Sequence, residues 1–269
     1  RETLNLNLKA GAGKITVVII TKSQDYDKHL ELDKINLTYL NKNLELTAGN
    51  IFVMLSNFTF NNSLEGALAS YKINTYKTVL KSFAGREKRP REENNFARYN
   101  YGLNITNTSI KKFQTGLNFV FTKDDENSIS FDSEIVPVKN FIIGTTGKYT
   151  YSKNFGIDYE WAWSLYDDDL RSESAEYKDN ALNIKSFYKI NKLSSYLNFY
   201  RVGSDFMTIN GIATNDKQKT TFGLSNEFGN DLKFSMSMDF QRDNVNRYND
   251  KTNYLFQYNL TLNSQPFKR

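Results

Sequence analysis

The 269-residue chain has no cysteine, one histidine, three prolines and no run of 18 or more apolar residues. Without cysteine there is no disulfide framework, no thiolate metal site and no Cys nucleophile. A single histidine, His29, rules out a multi-histidine metal centre. The lack of a long apolar run rules out a membrane-spanning helix. A mean hydropathy of −0.60 argues against a helical membrane protein. It leaves one membrane architecture open, because a transmembrane β-barrel spreads its apolar residues over every second position. Charge of one sign is also scarce. The 35 basic and 30 acidic residues leave a net +5 that is dispersed along the chain, whereas nucleic-acid binding calls for a clustered basic stripe. The chain starts at Arg1 without Met or a charged-then-apolar leader, so the expectation is a processed chain or a piece of a longer one.

Aromatic residues are abundant, with 20 Phe and 17 Tyr. Disordered chains are poor in such residues, so these need burial in a core or in lipid. Their spacing has period two. In 231–241, Leu232, Phe234, Met236, Met238 and Phe240 share one parity, and Asp231, Lys233, Ser235, Ser237, Asp239 and Gln241 share the other. A pleated strand sends the two sets to opposite faces, one apolar and one polar. The same alternation runs through 155–165 (Phe155, Ile157, Tyr159, Trp161, Trp163, Leu165), 252–263 (Tyr254, Phe256, Tyr258, Leu260, Leu262) and 99–105 (Tyr99, Tyr101, Leu103, Ile105). Phe222, Leu224 and Phe228 follow it, as do Leu4, Leu6 and Leu8. No stretch carries a capped helical stripe.

Short polar breaks at 41–43, 111–112, 152–154, 191–192 and 229–230 read as tight turns. Between them lie longer charged stretches at 86–95, 123–128, 166–179 and 242–250, with a shorter polar break near 205–217. Short turns and long loops therefore alternate, and strands of about 10–14 residues separate them. That is longer than the usual soluble strand of roughly 5–6 residues and matches the tilted strand of about 9–11 residues that crosses a bilayer.

A meander of long strands with one apolar face leaves two unpaired edges unless it closes. About 14 strands (12–16) are expected, and a barrel that wide cannot fill its interior with side chains. The polar parity then lines a wet lumen and the apolar parity faces outward. In this pattern, carried by 99–105, 113–121, 155–165 and 231–262, the chain resembles a Gram-negative outer-membrane β-barrel of the porin-like kind. The fold class is all-β, an antiparallel up-and-down transmembrane β-barrel, with 1–269 as one domain. The resemblance implies short periplasmic turns, longer extracellular loops and aromatic girdles, for which Tyr99, Tyr149, Tyr151, Trp161 and Tyr200 are the candidates. Such barrels usually end on an aromatic residue. Here Phe267 is followed by Lys268 and Arg269, which adds to the expectation of a fragment or of unusual ends.

The polar parity places Arg98, Asp158, Glu160, Lys185, Lys189, Lys233 and Asp239 on the lumen side. Fixed charges of both signs there would give a transverse field and weak selectivity. The cluster Arg86, Lys88, Arg89 and Arg91 is the densest basic run. It reads as an ordinary charged loop balanced by Glu92 and Glu93, or as a binder of phosphate or anionic sugar, or as a constriction. His29, beside Asp25 and Asp27, lacks an identifiable nucleophile partner and reads as a solvated histidine. The acidic runs at 124–126 and 167–169 match no calcium loop, and Gly11-Ala12-Gly13 lacks the features of a phosphate loop. No catalytic residue, metal or cofactor is implied.

The function expected is a non-enzymatic outer-membrane channel that passes hydrophilic small solutes by diffusion. Its surroundings are the lipid bilayer and lipopolysaccharide, and it has no nucleic-acid partner. Oligomerisation is compatible with the pattern but not specified by it. The alternative is a soluble or surface-exposed β-sheet binding or adhesion module built from repeats of about 40 residues.

Overall fold

The computed structural model describes residues 2–24, 27–90, 95–129, 134–172, 176–228 and 232–264. Arg91, Glu92, Glu93, the turn at 229–230 and the end from Gln265 lie outside these residues, as does the side chain of His29. The chain forms one antiparallel sheet in which every strand pairs with its neighbour in sequence. The first five strands are β1 (Glu2–Ala10), β2 (Gly13–Gln24), β3 (Asp27–Leu40), β4 (Leu44–Ser56) and β5 (Phe60–Ile73). A single 3-10 turn at Asn74–Tyr76 leads to β6 (Thr78–Lys88), β7 (Ala97–Asn107), β8 (Phe113–Asp125), β9 (Lys139–Ser152) and β10 (Phe155–Asp167). The last five are β11 (Tyr177–Ile190), β12 (Leu193–Val202), β13 (Lys217–Phe228), β14 (Leu232–Arg242) and β15 (Tyr254–Ser264).

Among the described residues the count is 15, within the 12–16 expected. The region 51–84, where alternation is blurred by Ala, Gly and Asn, resolves into the end of β4, all of β5 and most of β6. Several charged stretches expected as loops are partly strand: Arg86–Lys88 continue β6, Lys123–Asp125 continue β8 and Tyr177–Asp179 open β11. Charge does not end a strand that projects beyond the apolar zone, since its backbone pairing continues regardless of what the side chains face. Fifteen alternating strands leave β1 and β15 running in the same direction. They form the edges of the sheet, and no pairing joins them among the described residues.

The sheet curves so that its two faces differ. On one face Asn100, Asn118, Asn140, Thr122 and Ser164 are almost fully buried. On the other, Leu4, Leu6, Leu8, Tyr99, Tyr101, Leu103, Trp161, Phe222, Met238, Phe240 and Leu260 are exposed. Register ties these assignments together: Asn100 faces Thr122 across β7–β8, and Thr122 faces Asn140 across β8–β9. The polar parity is therefore concave and inner, and the apolar parity is outer. Tyr200 is a correction to the girdle set. It lies on the inner face, its ring 5.7 Å from that of Phe58, and its hydroxyl accepts the Thr214 N–H at 3.0 Å.

Gly49 in β4 has φ +112, and a Cβ there would lie 1.9 Å from the Ile35 carbonyl oxygen. No L side chain fits both that dihedral and that approach. Gly49→Ala is expected to cost about 1–3 kcal/mol through backbone strain, read from denaturant midpoints, with the damage centred on the β3–β4 pairing.

Candidate channel interior

Among the described residues, two connections fold into the space bounded by the concave face of the sheet. The first is the tight turn at 57–59 between β4 and β5, which carries Phe58. The second is the segment 203–216 between β12 and β13, which carries Phe206. Phe58, Phe60 and Phe206 are fully buried. The Phe58 and Phe206 rings meet edge-on at 6.0 Å, and Phe60 lies 4.6 Å from Phe83 of β6. Ile51, Val53, Leu64, Val120, Ile142, Ala162, Ala181 and Val202 complete a small apolar cluster on the inner wall. These are inner-parity residues whose apolar character breaks the polar pattern of that face. They do so where the two connections pack, because apolar loop residues need an apolar seat.

Polar contacts hold the two connections in place. The Glu160 carboxylate of β10 accepts the Phe58 N–H at 2.5 Å, and Ser56 and Thr59 share a hydroxyl hydrogen bond of 2.7 Å. Asn140 clamps the long segment. Its side-chain amide donates to the Met207 carbonyl at 3.1 Å and its oxygen accepts the Ile209 N–H at 3.3 Å. Asn210 reaches the wall at β7–β8, where its amide donates to Asn100 Oδ1 at 2.6 Å and to Thr122 at 3.3 Å. Its own oxygen accepts from Asn62 at 2.8 Å. The segment and the turn are joined directly, since the Ile212 N–H donates to the Asn57 carbonyl at 2.5 Å. From outside, the loop 243–253 braces the segment: the Val245 N–H donates to Asp216 at 2.7 Å, and Asn246 donates to Asp179 at 2.6 Å. Tyr248 bonds to Asp205, whose carboxylate raises the phenol above its ordinary pKa.

Removing the Glu160 acceptor isolates a buried N–H. Glu160→Ala is expected to destabilise the protein by about 1–3 kcal/mol, while Glu160→Gln, which keeps an acceptor oxygen, should lose less. Paired unfolding curves in detergent check the order.

The polar-parity residues expected to line the lumen fall into three groups. Asp158 and Lys185 face each other across β10–β11, and Lys148 faces Asp158 from β9 with its amine 3.8 Å from the carboxylate. With Glu160, Gln114 and Asn183 they line a cavity of about 520 Å³ on the short-turn side of the two folded connections. Arg98 is apart from these, near the long-loop end, in a bidentate pair with the buried Asp124 at 2.7 and 2.9 Å. The remaining three lie toward the other edge of the sheet. Asp239 pairs with Lys219 at 3.1 Å and Lys233 with Glu227 at 3.8 Å, and Lys189 lies opposite Ser194 across β11–β12. The basic cluster is divided between the faces, for Lys88 lies opposite the inner Arg98 across β6–β7. Arg86 lies on β6 with outer parity, and both it and Arg89 bind Glu65 of β5, at 2.9 and 2.6 Å.

The segment 203–216 and its anchors Asn100, Asn140 and Asn210 were not legible as a site from sequence. The available signal was four large apolar residues, Phe206, Met207, Ile209 and Ile212, in a break that is polar at most of its other positions.

No protein-family model matches the chain, and no curated protein matches it by sequence. Solved structures do. Pseudomonas aeruginosa OpdQ superposes with a TM-score of 0.57 over 97% of this chain and 79% of its own, at 11% identity. Pseudomonas aeruginosa OccK10 (OpdN) gives 0.58 over 99% and 82%, at 8% identity. An anion-selective porin from Comamonas acidovorans gives 0.54 over 90% and 76%, at 10% identity. The fold is that of a porin-like outer-membrane β-barrel. The segment 203–216 occupies the interior, anchored on β7–β9, and β13–β15 follow it along the sheet. The inner wall of these three strands is rich in Thr221, Ser225, Ser235, Ser237, Asn259 and Thr261.

Proposed function

We propose that the chain is a non-enzymatic channel of the bacterial outer membrane that passes hydrophilic small solutes by diffusion. The observation that carries this reading is the opposition of the two sheet faces. Exposed Leu, Phe, Tyr and Met cover the outer wall while Asn, Thr, Ser and paired charges cover the inner one. An outward apolar wall suits acyl chains and an inner polar one suits water. The porin likeness of the fold supports the same reading.

The route runs beside the apolar plug, along the hydroxyl and amide side chains of β13–β15. Lumen charge comes largely as opposite-sign pairs, Arg98–Asp124, Lys148–Asp158, Lys219–Asp239 and Lys233–Glu227. Paired charges give a transverse field with little net sign, so selectivity between cations and anions is weak. The test is conductance of the purified protein in planar bilayers. Discrete steps with a small reversal potential under a salt gradient support the reading, and a silent, fully inserted barrel overturns it.

A further inference from the structure

The outer wall is not uniformly bulky. Across β4, β5 and β6 its outward positions are Ala48, Ala67 and Ala84 in one row and Leu46, Ala69 and Ser82 in the next. Elsewhere the same parity carries Tyr101, Leu103, Trp161 or Phe222. The wall steps back here, and a groove of about 640 Å³ opens, flanked by Leu37 and Tyr39 of β3. Successive rows on one face lie about 7 Å apart, so the floor runs along the strands as a narrow apolar trough.

The next row toward the long-loop end is Asn50, Glu65 and Arg86, with Tyr99 opposite Arg86 on β7. Charge on a lipid-facing wall calls for a polar partner. Arg86 and Arg89 converge on the single carboxylate of Glu65, which among the described residues leaves one positive charge in excess at the head of the trough. Each guanidinium carries about five N–H donors, of which Glu65 takes one from Arg86 and two from Arg89. Among the described residues no other acceptor takes the rest, and Arg89 is 70% exposed.

We propose that the trough and its arginine pair bind one lipopolysaccharide molecule. One acyl chain lies on the alanine floor, and a lipid A phosphate bridges Arg86 and Arg89. This rests on the outer-membrane reading, in which the long-loop end faces the cell exterior and its outer leaflet.

The test is native mass spectrometry of the detergent-solubilised chain with hexa-acylated lipid A, its dephosphorylated form and phosphatidylglycerol. Wild type is expected to retain lipid A over the other two. Arg86→Ala/Arg89→Ala should weaken lipid A binding at least about tenfold, the worth of one lost charge-assisted hydrogen bond. Ala67→Phe, which fills the trough and leaves both arginines, should weaken it as well. Unchanged lipid A binding in both variants overturns the site, and equal retention of phosphatidylglycerol overturns the assignment to lipopolysaccharide. Conductance of the arginine variant separates the two readings. A conducting variant that has lost lipid A supports the site, whereas a wild type that binds lipid A but never conducts counts only against the channel.

Discussion

Replacing residues 204–215 by a two-residue turn is expected to raise single-channel conductance severalfold. The neck of the segment makes the excision feasible. The Asp216 N–H donates to the Gly203 carbonyl at 3.2 Å, so the ends of β12 and β13 already stand at hairpin distance. An Asn-Gly pair closes such a junction with the required twist. What is removed is Phe206, the Asn210 bridge to Asn100 and the seal against Asn57, which together fill the interior between β4 and β12. The strands that form the wall keep all their ladder pairings. The shortened protein should therefore remain folded, though less stable, since burying Phe206 and Phe58 against each other contributes to the plug. Conductance equal to that of wild type in an inserted, heat-modifiable barrel would show that ions do not pass where this segment lies.

The second large effect concerns which face meets lipid. Met238 lies midway along β14 on the outer parity, between Phe222 and Tyr258 on the neighbouring strands. Ser237, one residue earlier, lies on the inner parity between Gly223 and Asn259. Met238→Arg is expected to destabilise the protein by about 2–4 kcal/mol in a bilayer, the cost of a cation at the midplane of a barrel's lipid face. Ser237→Arg should change stability by about 0.5 kcal/mol or less, because its side chain lies on the polar inner face between Gly223 and Asn259. Urea unfolding in liposomes measures both. Equal effects, or the reverse order, would mean that the apolar face is not the lipid face.

The two adjacent residues also show what one-dimensional pattern can carry. Strand identity, the split of each strand into two faces and the order of short turns and long loops follow from side chains that alternate with period two. That is why β7, β10, β14 and β15 are legible in the sequence as strands with one apolar and one polar face. The weak region was β5 and β6, where Ala, Gly and Asn occupy outward and inward positions alike and the alternation loses contrast. The plug was harder still. Asn140 touches Met207 and Ile209 from 67 and 69 residues away, and Asn210 touches Asn100 from 110. An asparagine on the polar face of a strand looks the same whether it binds water or a loop.

The amino-acid order by itself determined a long-stranded, two-faced antiparallel sheet and the side of it that is apolar. Those properties are local, set residue by residue through the pleat. Tertiary structure decided that the break at 203–216 turns inward, that Tyr200 joins the interior, and that Arg86 and Arg89 sit outside above a shallow apolar trough. Each of those depends on strands far apart in sequence being brought to one place by the curvature of the sheet, and no short window of sequence contains that curvature.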